Sequence, residues 1–148
     1  MIIDKYTEFA DATALSTAGT GRALVGNVVN LEEVTKAMGV GQMPYLVILV
    51  STAVTSAGAA TVSFELASDA QASIATDGSA SVHFATAAIP KATLVAGYQA
   101  AVVKLPVGNY EQYLGILQNV GTAALTAGAI KAFLTLEYPN WYPAPDGI

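Results

Sequence analysis

The stretch that most limits the fold is Tyr45-Leu46-Val47-Ile48-Leu49-Val50, six apolar residues with no charge and no break. A membrane-spanning helix needs about 20 apolar residues, so this run is too short to cross a bilayer. Its β-branched and aromatic residues are the types that strands favour. The run reads as the central strand of a sheet buried on both faces. Pro44 sets its start, since a residue without an N–H is tolerated at the first position of a strand and not in its middle.

The flanking sequence carries strand signals of the same kind. Arg22 to Val29 reads as a first strand interrupted at Gly26. In Val62, Phe64 and Leu66, alternating with Ser63, Glu65 and Ala67, a period of two puts three large apolar side chains on one face and leaves the other solvated. Val82 and Phe84 repeat the inward pattern. Tyr98 to Leu105, Tyr113 to Val120 and Ala129 to Tyr138 complete the set. In the last of these Ile130, Ala132, Leu134, Leu136 and Tyr138 point one way and Lys131, Thr135 and Glu137 the other. Phe133 breaks the outward polar set, so it is expected to be covered by a terminal segment or by another subunit.

Between these strands, Thr55 to Ala59, Gly121 to Gly128 and Ala87 to Gly97 read as turns or connections, and Ser68 to Ser79 as a loop or a weak strand around Ile74. The resemblance of Thr55-Ser56-Ala57-Gly58-Ala59 to Leu125-Thr126-Ala127-Gly128-Ala129 reads as repeated turn chemistry. One helix is expected, Leu31 to Met38, with Asn30 as its cap, Glu33 at the capping-box position and Gly39 as a stop. The total is seven or eight short strands with turn signals about 8 to 12 residues apart, the pattern of an antiparallel sandwich or barrel.

The 148 residues suit one domain, which at this length buries roughly 70% of its unfolded surface. It divides into an extended N-terminal segment over 1–20, a β-sandwich over 21–138 and a C-terminal arm over 139–148. Ile2, Ile3, Tyr6 and Phe9 are too apolar for a free tail and are expected to lie on this domain's core or on a neighbour. The arm holds Pro139, Pro143 and Pro145 and favours an extended path. Tyr138, Trp141 and Tyr142 must therefore rest on something, either their own sandwich or a partner subunit.

Charged residues make up only 11% of the chain, against a usual share of about 25%. So sparse a charge leaves apolar patches, and such patches mark association sites. An oligomer or an assembly component is expected. The net charge of −5, with six scattered basic residues, argues against nucleic acid. The acidic residues Asp4, Glu8 and Asp11 stand where a signal peptide would be basic and apolar, so no export signal is expected. With no cysteine there is no disulfide frame and no thiolate.

Catalytic and cofactor signals are weak. His83 is the one imidazole, placed outward on a strand, and a hydrolase triad needs it beside a nucleophile and an acid. The adjacent acidic pair Glu32-Glu33 is explained by the helix start, and Asp69 and Asp77 lack a calcium-loop pattern. Gly19-Thr20-Gly21-Arg22 lacks the spacing of a phosphate-binding loop, and no pair of carboxylates suggests a glycosidase. No enzyme, cofactor or metal is expected.

Four sets of residues follow one another along the chain: Met1-Ile2-Ile3-Asp4 with Phe9-Ala10-Asp11-Ala12, then Pro44-Tyr45-Leu46-Val47, then Ile89-Pro90 to Ala96-Gly97-Tyr98 closing in Leu105-Pro106, and finally Asn140-Trp141-Tyr142-Pro143. Taken in this order, they resemble the capsid cement proteins of Bordetella-phage-type tailed viruses. The resemblance implies a jelly-roll-like sandwich on the outer capsid surface of a virion, made in the host bacterial cytoplasm. It would bridge neighbouring capsomers by binding the major capsid protein, and would make no membrane contact. Family members tend to carry Arg after the Tyr-Leu pair, whereas here Gly115 follows Tyr113-Leu114, which puts any contact by that Arg in doubt.

On this reading the interface candidates are Tyr6, Phe9, Phe133, Tyr138, Trp141 and Tyr142. A homodimer is favoured over a trimer, two-fold pairing being the commonest self-association. The alternative is a carbohydrate-binding, receptor-binding or lectin-like sandwich in which Tyr138, Trp141 and Tyr142 stack on sugar rings, with Asn140 and Glu137 as the nearby polar groups.

Overall fold

The computed structural model describes residues 5–32 and 43–136. Among them are nine strands: β1 (Glu8–Ala14), β2 (Gly21–Asn30), β3 (Tyr45–Ser56), β4 (Thr61–Asp69), β5 (Ser81–Ala85), β6 (Ile89–Pro90), β7 (Gln99–Lys104), β8 (Tyr113–Gly121) and β9 (Leu125–Thr135). A 3-10 turn over Lys5–Thr7 precedes them. One sheet has the order β1-β9-β3-β7 and the other β2-β8-β4-β5, with β6 also paired to β4. Every pairing is antiparallel. The long strands alternate between sheets except at the β4–β5 hairpin, and this double Greek-key winding is the jelly roll.

The apolar run at Tyr45 to Val50 lies in β3, between β9 and β7. Its inward set Leu46, Ile48 and Val50 is buried in the core, and Val47 on the opposite face is buried as well. β3 begins at Tyr45, directly after Pro44 as the sequence predicts, but continues to Ser56. β9 likewise starts at Leu125 rather than Ala129. The start of the first Thr/Ala/Gly stretch therefore lies in the sheet beside the second, and only Ala57 to Ala59 of the predicted turn stay outside a strand. Thr55 pairs with Ala127 and Ser56 with Leu125, and the Thr55 and Thr126 hydroxyls hydrogen-bond at 2.8 Å.

Three expectations change. The sandwich begins at Glu8 rather than at residue 21, because β1 pairs with β9 and sends Phe9 into the core. The connection over 87–97 contains β6, and Leu94 within it is fully buried. The outer face of β4 is not solvated. Segment 70–80 folds back over it, seating Ile74 on Ala67 and Leu117 beside Leu24, Val28 and Ala80.

Gly115 makes room for that seat. A Cβ there would stand 2.5 Å from Ile74 Cδ1 and 3.0 Å from Leu24 Cδ1. Asp69 shapes the same segment by accepting the N–H groups of Ala75 and Gln71 at 3.0 and 3.1 Å. Those bonds, Ala75's first, hold its carboxyl below the usual range.

The interruption read at Gly26 is real. The β2–β8 register shifts between Val25 and Val29, and Gly26 takes φ +69° where β2 crosses close to the backbone of Phe9. Of the predicted helix, Leu31 and Glu32 are helical. The Asn30 side-chain oxygen accepts the Glu32 N–H at 3.1 Å, as an N-cap should. Residues 33–38 of that helix and Gly39, its stop, lie outside the described residues.

Candidate functional site

Four of the five outer strands among the described residues carry a break in register, the two-residue β6 being the exception. β1 shifts near Ala10, β2 after Val25, β7 opposite Ile48 and Leu49, and β5 opposite Leu66 and Ala67. Bulged edges make poor templates for an added strand. A partner is therefore better met by side chains than by extension of a sheet.

Among the described residues, the large apolar side chains that face solvent are Tyr6, Val82, Val95, Val107 and Leu136. Tyr6 is 69% exposed and borders an open cleft of about 450 Å³ lined by Lys5, Glu8, Asn27, Val28 and Asn30. Because Glu8 pairs with Phe133 in antiparallel register, the chain running back to Tyr6 and the chain running on to Leu136 leave the same end of the first sheet.

The structure separates the predicted interface residues. Tyr6 faces solvent, whereas Phe9 at 0% and Phe133 at 2% exposure are enclosed by the chain itself and offer no contact face. Phe9 packs in the core. Phe133 stands beside Val47 on the opposite side of the sheet, covered without a second subunit. The candidates Tyr138, Trp141 and Tyr142 lie outside the described residues.

His83 is not a free surface imidazole. Leu66 pairs with Phe84 and Ala67 with Val82, leaving His83 as the extra residue of a bulge. The bulge turns Val82 out to 44% exposure, against its predicted inward position. It also directs His83 Nε2 to Ser68 Oγ at 2.7 Å, and the ring stacks on Tyr110 at 4.0 Å. Ser68 Oγ also accepts the Glu111 N–H at 3.1 Å, while the Ser81 hydroxyl donates to Glu111 Oε1 at 3.0 Å. Burial lowers the His83 pKa, and the Glu111 carboxylate partly opposes the shift. Ser68 is fully buried, which denies its hydroxyl to a substrate. Sequence reading met His83 alone because its partners lie on another strand and in a distant loop.

Two other polar clusters were hidden from the sequence for the same reason. Gln118 points inward with Leu114, Ile116 and Val120. Its amide oxygen accepts the Ser16 N–H at 2.7 Å, and its NH₂ donates to the Ser16 carbonyl at 3.0 Å. Arg22 Nε lies 2.7 Å from Glu65 Oε2, and Asn119 donates to the other carboxylate oxygen at 3.3 Å. Among the described residues no three His, Cys, Asp or Glu side chains gather as metal ligands, and no helix is long and apolar enough to cross a membrane.

No curated protein matches this sequence. The Bbp16 family model matches residues 9–134, from Phe9 in β1 to Leu134 in β9 and thus nearly the whole of both sheets. The chain belongs to the Bbp16 family of Bordetella phage proteins, and that membership makes it a phage virion protein.

Proposed function

We propose that this protein is a capsid cement protein, which binds the outside of a phage head and bridges neighbouring subunits of the major capsid protein. The observation that carries this reading is the end of the sandwich at which Tyr6 and Leu136 both emerge, with Tyr6 exposed beside its cleft. Two segments leaving one end of a rigid domain can reach two neighbouring capsomers. The bulged edges favour such contacts over strand addition.

The mechanism is additive. Each copy contributes a modest contact across a joint, and many copies multiply it in the manner of multivalent binding. A homodimer would place two such ends on one staple, in keeping with the predominance of two-fold assemblies.

The test is co-sedimentation of purified protein with expanded capsids. The full chain is expected to bind at saturable stoichiometry, and a chain ending at Glu137 to fold but bind at least tenfold more weakly. Unchanged binding by the truncated chain together with Tyr6→Ala would refute the assignment of contacts to this end.

A further inference from the structure

We propose that His83 in its neutral form latches the β7–β8 loop to the β4–β5 hairpin, and that protonating the imidazole frees that loop. The loop runs from Leu105 to Gln112. Its ends are tied by backbone bonds, Leu105 N–H to the Pro44 carbonyl at 3.0 Å and Leu31 N–H to the Gln112 carbonyl at 2.8 Å. Its middle is tied to the hairpin at one place. Tyr110 stacks on His83, Glu111 N–H donates to Ser68 Oγ and Ser81 donates to the Glu111 carboxylate. The Tyr110 hydroxyl closes the loop on itself by donating to the Pro106 carbonyl. Beyond this anchor the tip presents Val107 at 95% exposure.

Counting protons explains why the neutral ring is the one that fits. Ser68 Oγ has one proton to give and is shut off from water, so the proton needs a protein acceptor. Nε2 at 2.7 Å supplies it when the ring is neutral with its proton on Nδ1, the nitrogen that faces Gly108. Once Nε2 is protonated, Ser68 Oγ must accept from both the ring and the Glu111 N–H, and its own proton loses its acceptor. A buried donor without a partner is costly, and opening the loop relieves it.

The charged and titratable neighbours set the direction of the pH effect. Glu111, on the loop, favours the imidazolium; Tyr110 stays neutral because burial raises its pKa; Asp69, next to Ser68, spends its carboxylate on the Ala75 and Gln71 N–H groups. Desolvation outweighs Glu111, so the folded His83 pKa lies below its ordinary value. A group depressed in this way contributes stability above its unfolded pKa and loses it as pH falls through the folded pKa.

The test is NMR on the full chain between pH 7.5 and 5, following the His83 ring nitrogens and the hydrogen-exchange protection of the Glu111 amide. At pH 7.5 the ring is expected to carry its proton on Nδ1. It should titrate with a midpoint below about 6.5, the ordinary imidazole value, and Glu111 protection should fall at least tenfold in step while β3 and β9 amides keep theirs. His83→Gln, which cannot gain the proton, should hold Glu111 protection level over the same range, and Glu111→Gln should lower the His83 midpoint further. Glu111 protection that stays constant through the wild-type titration would overturn the latch, as would an Nε2–H tautomer at pH 7.5. Should His83→Gln not fold, the wild-type titration decides alone.

Discussion

Replacing Gly26 with alanine probes the closest approach between the first two strands. The added Cβ would sit 2.1 Å from the Phe9 carbonyl oxygen, 3.1 Å from its carbon and 3.3 Å from Ala10 Cβ. Non-bonded carbons rest about 3.5–4.0 Å apart, so one strand must move by roughly an ångström. The obstacle is backbone, and Phe9 is fully buried, so no side chain can swing aside.

Two terms add. A left-handed φ of +69° costs a residue with a Cβ about 1–2 kcal/mol, and overpacking costs about 1–3 kcal/mol. The reduced freedom of the unfolded chain returns about 0.4–1 kcal/mol. The net loss is about 1–4.6 kcal/mol, with a midpoint of about 3 kcal/mol, out of a total stability of about 5–15 kcal/mol.

Gly97→Ala is the control, because its φ of +89° carries the same backbone cost while nothing stands within 4 Å of the added carbon. It should lose only about 1 kcal/mol. Urea unfolding followed by circular dichroism measures both. Stabilities of the two variants within about 0.5 kcal/mol of each other would show that the contact with Phe9 carries no energy, and would refute the steric argument.

Gln118→Leu keeps the volume but strips the Ser16 N–H and carbonyl of their partners, and should cost about 2–4 kcal/mol with a selective loss of exchange protection at the Ser16 amide. Gly115→Arg should displace Ile74 without unfolding the sandwich, since the atom in the way is the far end of a side chain. The expected cost is about 1.5–3 kcal/mol, with new proteolytic cleavage within residues 70–80.

Much of the fold could be read in the sequence because alternation is local. Val62, Phe64 and Leu66, with Ile130, Ala132 and Leu134, point inward as their period of two predicts, Pro44 directly precedes the start of β3, and Gly26 sits at the break in β2. Reading failed where a bulge or a distant segment intervened. Val82 turns outward because the strand carries one extra residue at His83, and a bulge leaves no mark in the period of so short a strand. Glu65 and Ala67 look solvated in the alternating pattern and are buried, Ala67 under Ile74 of the segment that follows the strand and Glu65 between Arg22 and Asn119 of neighbouring strands.

The sequence by itself determined a charge-poor antiparallel sandwich with its most apolar strand inside, because the apolar period and the turn residues act over a few positions. Only the tertiary structure decided how the strands wind into a jelly roll, that Phe9 and Phe133 belong to the domain's own interior, and that Tyr6 and Leu136 emerge together. These depend on pairings between strands over a hundred residues apart, such as Glu8 with Phe133. Such pairings are selected by the free energy of burying whole faces at once, which no short stretch of residues records.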